Sequence, residues 1–119
     1  APSILREAVG EWFETDDDVP FMLQVFQIRS EKRKEIPAVT HVNGSGRLQT
    51  VTEKQNPRYH RLIQEFWKLT GVPIVLNTSF NENEPVVCVP EEAMACFLRT
   101  KMDVLVLGNC MVSRSDHAA

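Results

Sequence analysis

Four polar residues surround one phenylalanine in Asn77-Thr78-Ser79-Phe80-Asn81, directly after the apolar run Pro73-Ile74-Val75-Leu76. That run has the β-branched character of a buried strand. The polar residues therefore belong to the loop at its C-terminal end, where ligands gather in open α/β sheets. Their side chains donate and accept hydrogen bonds without carrying charge, which suits a polar, anionic or carbonyl-bearing ligand. Ser79 has no histidine placed by sequence to activate it, so it reads as a hydrogen-bonding group rather than a nucleophile. By composition alone the segment equally fits an ordinary loop built on Asx turns.

A second candidate is Thr40-His41-Val42-Asn43-Gly44-Ser45-Gly46-Arg47. Asn-Gly is a hairpin signal, because both residues tolerate positive φ. The same composition suits a loop that offers backbone N–H groups to an anion. Arg47 follows it, and a guanidinium binds phosphate or carboxylate with two parallel hydrogen bonds. The plain alternatives are a surface arginine on a hairpin strand and, for His41, a hydrogen-bonded structural histidine. Together the two segments supply one cation and several neutral donors, the inventory for holding a phosphoanhydride or an acyl-adenylate.

The elements that must position these residues follow from periodicity. Ser3 is expected to cap a helix from Ile4, with Ile4, Leu5, Ala8, Val9, Trp12 and Phe13 as its apolar stripe. Phe21 to Ile28 reads as a strand buried on most of both faces. Ala38 to Val42 and Arg47 to Val51 read as two strands around the glycine turn. Asn56 caps a helix with Pro57 at its first position and Gly71 at its end. Tyr59, Leu62, Ile63, Phe66 and Leu69 form its expected buried face, and His60 its surface. A strand at 74–77 and a short one at 86–89 follow. A helix opens at Pro90-Glu91-Glu92, with Ala93, Cys96 and Phe97 facing inward. A strand at 103–107 turns at Gly108-Asn109 and pairs back over Cys110 to Ser113, leaving 115–119 as a frayed tail. This order predicts an α/β single domain with a mixed twisted β-sheet and flanking helices.

Composition narrows the classes. The chain has 119 residues, 43% apolar and 24% charged, with a net charge of −3. One packed domain is expected, and nucleic-acid binding is disfavoured by the acidic balance. No apolar run reaches the roughly 18 residues of a membrane span, and no signal peptide is evident. Cys88, Cys96 and Cys110 are odd in number and lack a CxxC spacing, so buried inert thiols in a reducing, cytoplasmic setting are expected. His41, His60 and His117 are far apart, and no carboxylate–histidine spacing reads as a metal site.

Several ordered blocks carry a resemblance. Ile36 to Val51 resembles the IPAVTHVDGTARxQTV block of the carbamoyltransferase family, which includes nodulation-factor and antibiotic O-carbamoyltransferases. Thr70 to Asn81 resembles its TGxPxxLNTSFN block. Glu84 to Cys88 and Pro90 to Ala93 resemble its EPIVCxPEDA continuation, and Phe21-Met22-Leu23 its PFML strand. The similarity runs from about Ala1 to Arg114.

The resemblance implies a YrdC-like C-terminal domain spanning 1–114. Its partner would be a kinase-like N-terminal domain that holds an iron ion. In that family the C-terminal domain converts carbamoyl phosphate and ATP, with Mg²⁺ as part of the co-substrate complex, into carbamoyl-adenylate for transfer to an acceptor hydroxyl. Residue by residue, Arg47 would bind phosphate, Asn77 and Ser79 the carbamoyl and phosphate oxygens. His41, Asn43, Thr78 and Asn81 would be supporting positions. In the family a basic KxREWxRPxAPS segment precedes the domain, whereas this chain starts at Ala1-Pro2-Ser3, so the chain by itself is expected to be inactive or very weak. The turn Asn81-Glu82-Asn83-Glu84 is shorter than the glycine-containing turn of some relatives. The competing readings are a non-catalytic nucleotide- or RNA-binding module of YrdC-like fold, and an interaction domain whose exposed face drives homodimerisation.

Overall fold

Pro2–Leu5 forms a strand, β1, rather than the first turn of a helix. This computed structural model describes residues 1–114; the tail expected to fray, 115–119, lies outside the described residues. β1 is the middle strand of a three-stranded mixed sheet, parallel to β4 (Gln49–Val51) and antiparallel to β5 (Ile74–Leu76). Its four residues are all buried. The helical spacing is met only downstream, where a 3₁₀ turn at Arg6–Ala8 runs into a single α-helical turn, α1, at Val9–Trp12. Ser3 caps nothing, because its hydroxyl donates to the Gln49 side chain. The correction has a physical reason. Strands on both edges satisfy β1's backbone groups, so Ile4 and Leu5 can be buried together, which one helical stripe would not require.

The chain divides into two compact units, Ala1–Thr78 and the part from Ser79 onward. The core of the first is built on Ile4, Leu5, Val9, Trp12, Phe13, Ile28, Leu48 and Ile63, all at most 1% exposed. The class is α/β with a mixed sheet, as the element order predicts.

The long strand expected at 21–28 is reduced to β2, Val25–Gln27. Met22 lies at φ 55°, and that left-handed residue turns the chain out of extended geometry. Phe21 and Leu23 on either side of it are exposed, as is Val25 in β2. The strand expected at 38–42 is a 3₁₀ turn, Pro37–Val39. The glycine segment still makes a tight turn, with Gly44 at φ 81° and its N–H donating to the His41 carbonyl. It does not join the two strands expected around it. Ser45–Arg47, β3, pairs instead with β2, in the register Gln27 with Ser45 and Val25 with Arg47. Gly46 runs close to its neighbours, since a Cβ would lie 3.2 Å from Ile28 Cδ1 and 3.3 Å from the Val39 carbonyl and would force them to shift.

Helix α2, Pro57–Thr70, has the expected cap: Asn56 Oδ1 accepts from the Tyr59 N–H, and Gly71 closes the helix at φ 77°. Its buried face is narrower than expected. Ile63 and His60 are buried, whereas Leu62, Phe66 and Leu69 are exposed. His60 is not a surface residue, because its Nε2 pairs with Glu7 Oε1 at 2.9 Å in the turn that follows β1.

The second unit contains α3, Pro90–Arg99, with Ala93, Cys96 and Phe97 buried as expected. β6, Val104–Leu107, and β7, Cys110–Ser113, form the expected hairpin around Gly108 at φ 57°. No strand forms at 86–89; one bond, from Val87 N to Phe80 O, closes that loop. Of the three thiols only Cys96 is buried, and Cys88 and Cys110 are exposed. Among the described residues no helix is long and apolar enough to cross a membrane.

Thr50 ties β4 to the preceding acidic turn. Its hydroxyl accepts from the buried Val19 N–H at 2.9 Å and donates to Asp18 Oδ1 at 2.5 Å. Thr50→Val leaves that N–H without a partner and should cost about 1–3 kcal/mol, read as a lower urea midpoint. Thr50→Ser should recover most of the loss.

Candidate functional site at the end of the mixed sheet

The sheet register brings the expected Arg47 and Asn77 and the unexpected Ser3 and Gln49 to one end. Ser3 stands opposite Gln49 on one side and Val75 on the other. One step further along, the Asn77 N–H donates to the Ala1 carbonyl at 2.8 Å, so Asn77 continues β5 beside the start of β1. Arg47 precedes Gln49 by two residues, and Leu48 between them is fully buried. Arg47 and Gln49 therefore project on the side opposite Leu48. Burial, and then the charge of Arg47, lower the pKa of the Ala1 amino group, so the guanidinium is within electrostatic reach of β1's first residue.

Gln49 organises this end. Its Nε2 faces the Pro20 carbonyl at 3.4 Å, and a carbonyl only accepts. Its Oε1 is thereby left to accept from Ser3 Oγ at 2.5 Å and from Asn77 Nδ2 at 2.9 Å. The chain of donors fixes which way the Asn77 amide points. Nδ2 turns inward to Gln49, with Met22 Sδ at 3.8 Å, and Oδ1 has no partner among the described residues. Asn77 thus offers an acceptor, while its NH₂ is taken up by Gln49 and Met22. Gln49 also lines a cavity of about 250 Å³ with Pro20, Phe21, Gln55, Asn56 and Tyr59.

His41 and Asn43 are engaged within their own turn. The Ser45 hydroxyl donates to Asn43 Oδ1 at 2.6 Å, so the contact with His41 Nδ1 at 3.0 Å requires that nitrogen to carry the proton. His41 Nε2 is then the nitrogen left for a ligand, and the ring is exposed. Asn43 Oδ1 also accepts the Ser45 N–H at 3.1 Å. Asn43 shapes the turn that leads into Arg47, and its carbonyl oxygen is taken up there. Thr78 is exposed at the end of the first unit.

Ser79 and Asn81 belong to the second unit. Ser79 is exposed, and Asn81 Nδ2 donates to the Glu84 carbonyl at 2.9 Å, so its amide is committed to the loop it stands in. Glu84 holds that loop. Its Oε2 accepts the N–H groups of Glu82 at 3.2 Å and Asn83 at 3.0 Å, and its Oε1 accepts from Arg99 of α3. Its own backbone N–H first, then those of Asn83 and Glu82 and the Cys96 thiol, pull its pKa from 4.5 down to about 2. Burial, and then the neighbouring Glu84, push the Cys96 thiol up. The short Asn81–Glu84 turn is thus closed by one carboxylate, without the extra glycine.

The residues that sequence reasoning missed are Gln49, Ser3 and Met22. Gln49 was within reach, since alternation with buried Leu48 puts it on the same side as Arg47. Ser3 and Met22 were not, because one was read as a helix cap and the other as strand.

A family model described as "Carbamoyltransferase C-terminus" matches residues 1–114, and the chain belongs to that family. It is 47% identical over 118 residues to nodulation protein NolNO of Sinorhizobium fredii, covering 96% of this chain and 17% of that protein. It is 42% identical over 136 residues to the uncharacterised protein sll1178 of Synechocystis sp., covering 97% and 22%. To the 3'-hydroxymethylcephem-O-carbamoyltransferase of Amycolatopsis lactamdurans it is 41% identical over 83 residues, covering 70% and 16%. The chain spans no more than 22% of the length of these relatives.

Glu84 sets a pH dependence with a definite sign. A folded pKa below the ordinary value means stabilisation that is complete above 4.5 and lost as pH falls toward about 2. Amide exchange in α3 should accelerate over that interval. Glu84→Gln should already exchange faster at neutral pH and respond less to acid; an unchanged acid response would remove Glu84 as the cause.

Proposed function

We propose that the end of the β4–β1–β5 sheet binds carbamoyl phosphate, and that the domain uses it with ATP to form a carbamoyl-adenylate for transfer to an acceptor hydroxyl. The observation that carries this reading is the Asn77 amide, oriented by Gln49 so that an unpartnered carbonyl oxygen is left to accept at the Arg47 end of the sheet. A carbamoyl group has the complementary donor, its NH₂. Its phosphate brings the negative charge that the guanidinium can hold with two hydrogen bonds.

Chemistry of this kind asks little covalent help from protein. It needs the reacting groups held in line, with their charge offset. Asn77 would orient the carbamoyl plane and Arg47 would hold the phosphate. His41 Nε2 and Thr78 Oγ1 are further polar groups that end near these two positions in sequence. Ser79 is assigned to the ligand oxygens on its sequence block alone. ATP would arrive as its Mg²⁺ complex, and transfer to the acceptor would fall to a kinase-like, iron-holding N-terminal domain. The membership of the family and the O-carbamoyltransferase among the relatives support this reading.

Titration of the 119-residue chain with carbamoyl phosphate tests the site. Arg47→Ala should weaken binding about 10- to 100-fold, the range for loss of a charged hydrogen-bonding group. Asn77→Asp, which replaces the amide nitrogen with a second acceptor and adds negative charge, should weaken it at least as much. Binding unchanged in both variants would overturn the assignment. In the polypeptide that also carries the upstream region, carbamoyl-phosphate-dependent ATP–pyrophosphate exchange should fall with Arg47→Ala, and separately with Ser79→Ala.

A further inference from the structure

Arg33 lies in the charged segment Ser30 to Glu35, and its guanidinium is fastened in place. Nε donates to the Ile28 carbonyl at 3.0 Å, and Nη2 to Gln27 Oε1 at 3.2 Å. The group lies flat over Gly44: a Cβ built there would fall 2.4 Å from Arg33 Cζ. Gly44, at φ 81°, is kept side-chain-free by its backbone, and the guanidinium packs where a side chain would stand.

The β2–β3 register decides which side this cation occupies. Gln27 stands opposite Ser45 and Val25 opposite Arg47. Side chains directly opposite in an antiparallel pair share a face, and so do residues two apart along a strand. Gln27, Ser45, Val25 and Arg47 consequently share one face, and Phe26 and Gly46 take the other, against the core. The side chain that holds Arg33 is thus on the Arg47 face, two residues along, or about 7 Å. Gln27, Val25 and Arg47 on this face are exposed, while Ser45 is covered by its bonds to Asn43 and His41. Among the described residues no carboxylate is within ion-pair distance of Arg33 or Arg47, whereas Lys32 beside Arg33 is taken up by Glu11 and Glu35.

We infer that Arg33 and Arg47 form a two-cation seat along this ribbon face for a ligand with two adjacent phosphoryl groups, a diphosphate moiety, with His41 Nε2 at its edge. The inference rests on the proposed role of Arg47 in phosphate binding and adds a second anchor to it. Arg33, held by two hydrogen bonds, and Arg47, on the same face about 7 Å along the strand, can each meet one end of a diphosphate, and a single phosphate can occupy only one of them. Arg33 needs little ordering on binding, because two of its nitrogens are already held. Its Nη1 has no partner among the described residues and remains for the ligand.

The test is calorimetric titration of the 119-residue chain with inorganic pyrophosphate and with inorganic phosphate at low ionic strength. The chain should bind pyrophosphate more tightly than phosphate. Arg33→Gln should weaken pyrophosphate at least tenfold and phosphate less than threefold, and Arg33→Lys should fall between. Circular dichroism checks the fold of each variant; if Arg33→Gln unfolds, Arg33→Lys alone decides. Pyrophosphate binding kept in both Arg33 variants but lost in Arg47→Ala overturns the second anchor and leaves the carbamoyl phosphate site standing. Binding kept in Arg47→Ala, or no preference for pyrophosphate in the unsubstituted chain, overturns the two-cation seat itself. Loss of carbamoyl phosphate binding in Arg47→Ala is the separate measure of the proposed site.

Discussion

The first unit depends on the burial of β1 between two partners. Four consecutive residues, Pro2 to Leu5, have almost no surface, so their backbone groups must be satisfied by neighbouring strands. One partner runs parallel and the other antiparallel, and each comes from a different later segment of the chain. That single constraint fixes where Gln49 and Val75 stand relative to Ser3. It also fixes how the Arg47 and Asn77 segments approach one another. Helix α2 bears on the same sheet through Ile63 and through His60, whose contact with Glu7 anchors it to the turn that leaves β1.

The candidate site is a consequence of this register. An asparagine side chain on a loop has no preferred direction of its own. Asn77 acquires one because Gln49 must face the Pro20 carbonyl with its NH₂, which leaves only its oxygen for Ser3 and Asn77. The polar order is transmitted through three side chains from different elements. Met22 completes the enclosure in a left-handed conformation that an unbranched side chain tolerates at a cost of about 1–2 kcal/mol. Strain of this kind persists where surrounding contacts over-determine the backbone.

In the second unit one carboxylate does comparable organising. Glu84 gathers two backbone N–H groups and Arg99, and it closes the loop in which Asn81 lies. The segment following Ser79 is therefore shaped by its own hydrogen bonds. Asn81 illustrates the difference between a residue type suited to a ligand and a residue free to meet one.

Local signals decided much of this protein. Asn56, Pro57 and Gly71 delimited α2, Pro90 opened α3, and Gly108-Asn109 placed the final hairpin, because caps and turns act through their nearest neighbours. The resemblance of ordered blocks singled out Arg47, Asn77 and the family, which the whole-chain match establishes. The elements that failed to be legible were those whose hydrogen-bonding partners lie far away in sequence. Ile4 and Leu5 carry an apolar pattern that serves a helix or a doubly buried strand, and only β4 and β5 select the strand. Ser45 to Arg47 chose β2 rather than the nearby 38–42, since Gly46 must pass closely against Ile28 and Val39. The sequence by itself determined which residues carry neutral donors and acceptors and a guanidinium, groups suited to a polar or anionic ligand. Only the tertiary structure decided which atoms of those residues remain to be offered, because that depends on long-range pairings that no local preference encodes.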